Sequence, residues 1–140
     1  MIVIDASVAV KWFIAESDSE RAEQVLHQHL GKMIVPDLFL IEVNAALVRK
    51  ANIDKKLAAR SRVHIAAFAT MTAAQDFDPI RLAPDRLLQA TELAIDLGHP
   101  LKDCIYLVLA IELGYPLVTA DARFAAKART VFEKVRVLGE

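Results

Sequence analysis

The sequence predicts an α/β sandwich with a mostly parallel central sheet of about four to five strands. Three observations point there. Short apolar runs, Ile2-Val3-Ile4 and Val118-Thr119 among them, each end abruptly in an Ala-Asp or Asp step. Such runs read as buried strands of a parallel sheet, because both faces are covered. Between them lie longer stretches of helical periodicity, and alternating strands and helices imply right-handed crossovers.

Taken in order, residues 2–5 form the first strand, and Ser7 can cap a helix whose apolar face uses Val8, Val10, Trp12, Phe13 and Ile14. A second helix starts at Ser17-Asp18-Ser19-Glu20, reaches about Leu30 and ends at Gly31. Met33-Ile34-Val35 is a strand closed by Pro36; Asp37 caps a helix from about Leu38 to Lys50. After a break at Asn52 and Asp54, residues 55–74 form a long Ala-rich helix, which pairs with its predecessor as a protruding helical hairpin. Asp78-Pro79 reads as a turn and Ile80-Arg81-Leu82-Ala83 as the next strand. Pro84 opens a helix to Leu97, stopped by Gly98. A helix over residues 102–113, a strand over 116–119, a short helix over 122–129 and a strand over 135–138 complete the chain. With no repeat or linker, residues 1–140 are expected to be one domain.

The chain is 55% hydrophobic with mean hydropathy +0.33, richer in apolar residues than an average soluble domain. The surplus suits a subunit interface, so a homodimer or tight partner is expected. No apolar run reaches the ~18–20 residues of a membrane span. Asp5 and Lys11 interrupt any signal-like N-terminal core, and the single cysteine, Cys104, fits a reducing compartment. A cytoplasmic protein without membrane contact is the expectation. The net charge of −1 neither demands nor excludes nucleic acid.

Four acids carry the chemistry. Asp5 and Asp121 follow strands, where open parallel sheets place their ligand crevice. Glu42 and Asp103 interrupt very apolar segments, where a carboxylate is costly unless paired, hydrogen-bonded or metal-bound. Each has a bland reading: helix caps for Asp5 and Asp121, a first-turn charge for Asp103, a polar stripe with Arg49 and Asn52 for Glu42. Jointly they point to one pocket. Four converging carboxylates raise one another's pKa, and a hard divalent cation resolves the conflict. Mg²⁺ prefers such oxygen donors and Mn²⁺ accepts them.

The histidines offer no competing site: His27 and His29 point to different faces of one helix, and His64 and His99 are isolated. No HExxH, paired CxxC, GxxxxGK[ST] or GxSxG occurs. The densest basic stretch is Arg49, Lys50, Lys55, Lys56, Arg60 and Arg62, which reads equally as a solvated helix surface. Lys11, Lys102, Arg123, Lys127 and Arg129 are candidates for the pocket rim. Of these, Lys11, Lys102 and Arg123 lie nearest an acid and are the phosphate-contact candidates.

These residues resemble the PIN-domain ribonucleases, and within them the VapC-type toxins of prokaryotic toxin–antitoxin pairs. The matching pieces are Val3-Ile4-Asp5-Ala6-Ser7 with Val10-Lys11-Trp12-Phe13, and Pro36-Asp37-Leu38 leading to Glu42-Val43-Asn44-Ala45 and Leu47. Asp103-Cys104-Ile105-Tyr106-Leu107-Val108-Leu109-Ala110 and Leu117-Val118-Thr119-Ala120-Asp121-Ala122-Arg123-Phe124 continue the match in order. The resemblance implies a PIN-like α/β/α sandwich and an acidic quartet of Asp5, Glu42, Asp103 and Asp121, supported by Ser7, Asn44 and Thr119. It also implies Mg²⁺- or Mn²⁺-dependent cleavage of RNA, a homodimer, and inhibition by a small antitoxin. In that reading Asp5, Asp103 and Asp121 hold the metal and Glu42 completes the site or orients the attacking water. Two rivals stand beside it: a phosphohydrolase or phospho-acceptor using Asp5 as nucleophile, and a non-catalytic module that docks a basic partner peptide.

Overall fold

In the computed structural model, which describes residues 1–140, five strands run parallel: β1 (Ile2–Ile4), β2 (Met33–Pro36), β3 (Phe77–Ile80), β4 (Leu117–Thr119) and β5 (Val135–Val137). Their order across the sheet is β3-β2-β1-β4-β5. β1 is central, with Val3 opposite Ile34 on one side and Leu117 on the other. Helices cover both faces, so Val3 and Ile4 are fully buried; this is why β1 is a continuous apolar run rather than an alternating one. The expected α/β sandwich is the observed architecture.

The helices are α1 (Ala6–Ala9), α2 (Ser19–His29), α3 (Leu38–Ile53), α4 (Ala58–Ala73), α5 (Pro84–Leu97), α6 (Leu101–Leu113) and α7 (Ala122–Ala128). α6 lies between the sheet and α5, which buries every residue from Cys104 to Ala110. No helix is long and apolar enough to cross a membrane. α5 and α6 both end on a glycine in the left-handed region, Gly98 (φ 61°) and Gly114 (φ 72°), where any other residue would be strained.

The helical hairpin of α3 and α4 is joined to the sheet by aromatic rings. Phe39 on α3 meets Phe77 on β3 with ring centroids 5.0 Å apart, and Phe68 on α4 lies 5.8 Å from Phe39 and 5.5 Å from Phe77. All three are buried.

Three expectations fail locally. Asp78-Pro79 is not a turn before a strand at 80–83 but lies inside β3, where Pro79 sits opposite Val35. β3 is the sheet edge, and an edge strand tolerates a residue with no N–H to donate. The first helix does not run to Ile14: α1 tightens into a 3₁₀ turn at Val10–Trp12, and the Trp12 indole donates to the Ala22 carbonyl at 2.9 Å. Nor does Ser7 cap it. Asp5 occupies the cap position, and neither side chain bonds the helix N-terminus.

Candidate functional site

β1 and β4 are neighbours, so the chain leaves the sheet at Asp5 and at Asp121 along the same edge. α3 and α6 add an acid each from above. The result is a cleft of about 510 Å³ lined by Asp5, Ser7, Glu42, Arg49, Lys102, Asp103 and Asp121, with Ile41 and small residues between them. All four predicted acids therefore reach one cavity.

Asp5 is its floor, 4% exposed. Its Oδ2 accepts the hydroxyls of Ser7 and Thr119, each at 2.8 Å. Those hydroxyls are themselves aimed by the backbone: Ala120 N–H donates to Ser7 Oγ (3.0 Å) and Asp121 N–H to Thr119 Oγ1 (3.1 Å). Each hydroxyl accepts a backbone N–H and donates its proton to Asp5 Oδ2, while Oδ1 has no protein partner. Burial pushes the Asp5 carboxyl up to about 6; the charges of Asp103 and Glu42 add to this, and the Thr119 and Ser7 hydrogen bonds oppose it. Such placement decides against a simple capping role, since the side chain makes no bond to the helix it precedes.

Glu42 Oε1 accepts the Tyr106 hydroxyl at 2.8 Å, and Oε2 stands 3.6 Å from Lys102 Nζ. It is not on a solvated stripe: its side chain is 17% exposed. Tyr106 is fully buried, and burial followed by the charges of Glu42 and Asp5 pushes its phenol far above the usual range, so it stays a donor. Tyr106→Phe keeps the ring and removes that donor. It is expected to cost about 1–2 kcal/mol at pH 7, read by chemical unfolding, because Glu42 loses its buried partner. Asp121 caps α7 through Oδ1, which accepts Phe124 N–H at 3.0 Å, and lines the cleft as well. Capping and site membership are compatible here.

Asp103 Oδ2 lies 2.7 Å from His99 Nε2. Oxygens of Asp103 and Asp121 and a nitrogen of His99 all fall within 4.8 Å of one another. His99 is thus not isolated, which corrects the sequence reading. It sits four residues before Asp103, where the bend at Pro100 folds the ring back against the first turn of α6. Tyr106 was missed for a related reason: three residues after Asp103 it shares that face, but a tyrosine in an apolar run reads as core. Both spacings were available as signals.

Other expectations are corrected. Asn44 does not line the cleft; two residues from Glu42 on a helix it faces elsewhere, and its amide donates to the Leu40 carbonyl at 2.8 Å. Lys11 is engaged by Glu16 and by Asp18 (2.9 Å), so its charge holds the loop before α2 and is not free for phosphate. Lys127 donates to the Gly98 carbonyl, and Arg129 binds the Val135 carbonyl and Glu140, which takes both off the rim. Lys102 and Arg123 remain exposed, Arg123 in a shallow groove that continues past Ser7 and Asp121. Of the basic hairpin residues only Arg49 lines the acidic cleft. Lys50 and Arg60 instead border a separate apolar groove with Phe13, Ile14, Leu47 and Leu57. Cys104 is buried, its thiol pushed up to about 11 by burial, as a packing residue would be.

Does this donor set suit a divalent cation? Three features fit it. The deepest carboxylate is held above its ordinary value by burial and by like charges. One of its oxygens is unclaimed by the protein. The surrounding donors are carboxylate oxygens, the ligands that hard cations prefer.

Comparison with known proteins shows the family and the fold. The PIN domain family model matches residues 2–130. A crystal structure of a protein from Pyrobaculum aerophilum superposes with TM-score 0.62 at 20% identity, over 98% of this chain and 88% of the other. A toxin-antitoxin complex from Klebsiella pneumoniae gives TM-score 0.68 at 19% identity, over 100% and 99%. At these identities the likeness is one of fold. No curated protein sequence matches the chain.

Proposed function

This chain belongs to the PIN-domain family, and on that premise we propose that it is a Mg²⁺- or Mn²⁺-dependent endoribonuclease, acting in the cytoplasm as the toxin of a toxin–antitoxin pair. The observation that carries the reading is the convergence of Asp5, Glu42, Asp103 and Asp121 on one cleft, with the buried Asp5 pushed up to about 6. Clustered acids held this way are poised for a counter-cation.

Asp5, Asp103 and Asp121 would hold the metal. A divalent cation there supplies a lowered pKa for water and neutralises charge on the leaving oxygen. Ser7 and Thr119 fix the Asp5 carboxylate in rotation, so that Oδ1 faces the cleft. Glu42, held by Tyr106, would accept a proton from, or orient, the attacking water. Lys102 and Arg49 line the cleft and Arg123 the adjoining groove, and they would supply the positive charge that a cluster of acids needs to admit a polyanion.

A small antitoxin and a homodimer belong to the same proposal. The Klebsiella pneumoniae neighbour is a toxin-antitoxin complex. On this chain the apolar groove beside the hairpin offers a partner segment a place to lie. Leu88 and Ile95, 62% and 72% exposed and one heptad apart on α5, support a second copy as partner.

The test is incubation of the purified protein with a panel of structured RNAs. Cleavage is expected with Mg²⁺ or Mn²⁺, abolished by EDTA and restored by adding either ion back. Cleavage undiminished by EDTA, or radiolabelled phosphate trapped on Asp5, would overturn the reading.

A further inference from the structure

The strongest geometry that the quartet leaves unused is His99. Its Nε2 lies 2.7 Å from Asp103 Oδ2, and its side chain is only 9% exposed. In the tautomer that carries its proton on Nε2, the ring donates to the Asp103 side chain. The ring is fixed from its other side: it stacks on Phe124 with centroids 4.8 Å apart and planes 22° from parallel. Phe124 is buried, and its own N–H is held by Asp121 Oδ1. The chain of contacts therefore runs Asp103, His99, Phe124, Asp121, and ties together two carboxylates that come from α6 and from the end of β4.

We propose that His99 is a positioning residue of the metal site: clamped by Phe124, it holds Asp103 Oδ2 and so aims the other oxygen, Oδ1, at the cation. This rests on the nuclease reading above and adds a role for a residue outside the quartet. Partners that hold a ligand in orientation typically change metal affinity 10–100-fold when removed. A direct ligand role is the competing possibility for the same imidazole, since its nitrogen lies within 4.8 Å of donor oxygens of Asp103 and Asp121. Geometry favours positioning, because Nε2 already faces Oδ2 at full hydrogen-bond distance.

The test measures Mn²⁺ affinity by calorimetry, and metal-free melting temperature, for wild type, His99→Ala and His99→Gln. The glutamine amide can put a donor about where Nε2 stands. Expected is at least a tenfold weaker Mn²⁺ affinity in His99→Ala, recovery to within about threefold of wild type in His99→Gln, and little change in metal-free melting for the glutamine variant. Undiminished affinity in His99→Ala sinks the inference and leaves the nuclease reading standing. Equal loss of Mn²⁺ affinity in both variants makes His99 a ligand and overturns positioning. Wild-type protein that binds no Mn²⁺ sinks both readings together. Should His99→Ala fail to fold, the comparison of His99→Gln with the shorter His99→Asn decides: affinity retained only by glutamine supports positioning, and equal affinity contradicts it.

Discussion

Asp5→Asn is expected to lower metal-dependent RNA cleavage by about a thousandfold or more, the equivalent of several kcal/mol of lost transition-state stabilisation, while making the metal-free protein more stable at neutral pH. The two effects share one cause. In the fold the Asp5 carboxyl sits at about 6, above its ordinary 3.8, chiefly through burial. Between those values the native state holds a proton that the unfolded chain has released. Metal-free stability contributed by this group therefore falls as pH rises from about 4 to about 6, and does not recover above it. Asparagine never ionises, yet its oxygen can still accept the Ser7 and Thr119 hydroxyls. The variant should gain up to about 3 kcal/mol over wild type at pH 7, and nothing at pH 4. Urea unfolding of both proteins at the two pH values, in EDTA, reads the difference directly. A variant less stable than wild type at pH 7 without metal would show that Asp5 is not burdened as described.

Phe39→Ala carries the largest expected effect on stability, a loss of about 3–5 kcal/mol. The ring is fully buried and touches Phe77 on the sheet edge and Phe68 on the opposite arm of the hairpin. A cavity there leaves Phe68 and Phe77 packed on each other but facing a void, and weakens the tie between α3 and the sheet. Because α3 also carries Glu42, residual folded protein should lose activity beyond its folded fraction. By contrast, Val63→Ala on the exposed side of α4 should change stability by less than about 0.5 kcal/mol. Chemical denaturation of both variants gives the comparison, and similar losses in the two would contradict the placement of the core.

Much of this was legible because strand ends and helix breakers are local signals. Ile2-Val3-Ile4-Asp5 and Leu117-Val118-Thr119 announce buried strands by composition, and Gly98 and Gly114 mark helix ends that only a left-handed residue completes. Asp78-Pro79 failed because the same dipeptide serves a turn or an edge strand, and edge position is a property of the whole sheet. The four acids could be picked out one by one, but their meeting depends on β1 lying beside β4 with α3 and α6 above. What surrounds them was less readable. Asn44 is two residues from Glu42, close in sequence and turned away on a helix. Lys11 looked available until Glu16 and Asp18 folded onto it. Charges on flexible stems find partners that the order of residues does not reveal.

Calorimetric titration of Mn²⁺ into metal-free wild type and Asp5→Asn addresses the cation directly, independent of any RNA. Saturable binding at a fixed whole-number stoichiometry in wild type, weakened at least about a hundredfold in the variant, is the expected result. Equal binding by the two proteins, or none by wild type, would mean that the four carboxylates gather for some purpose other than holding a metal.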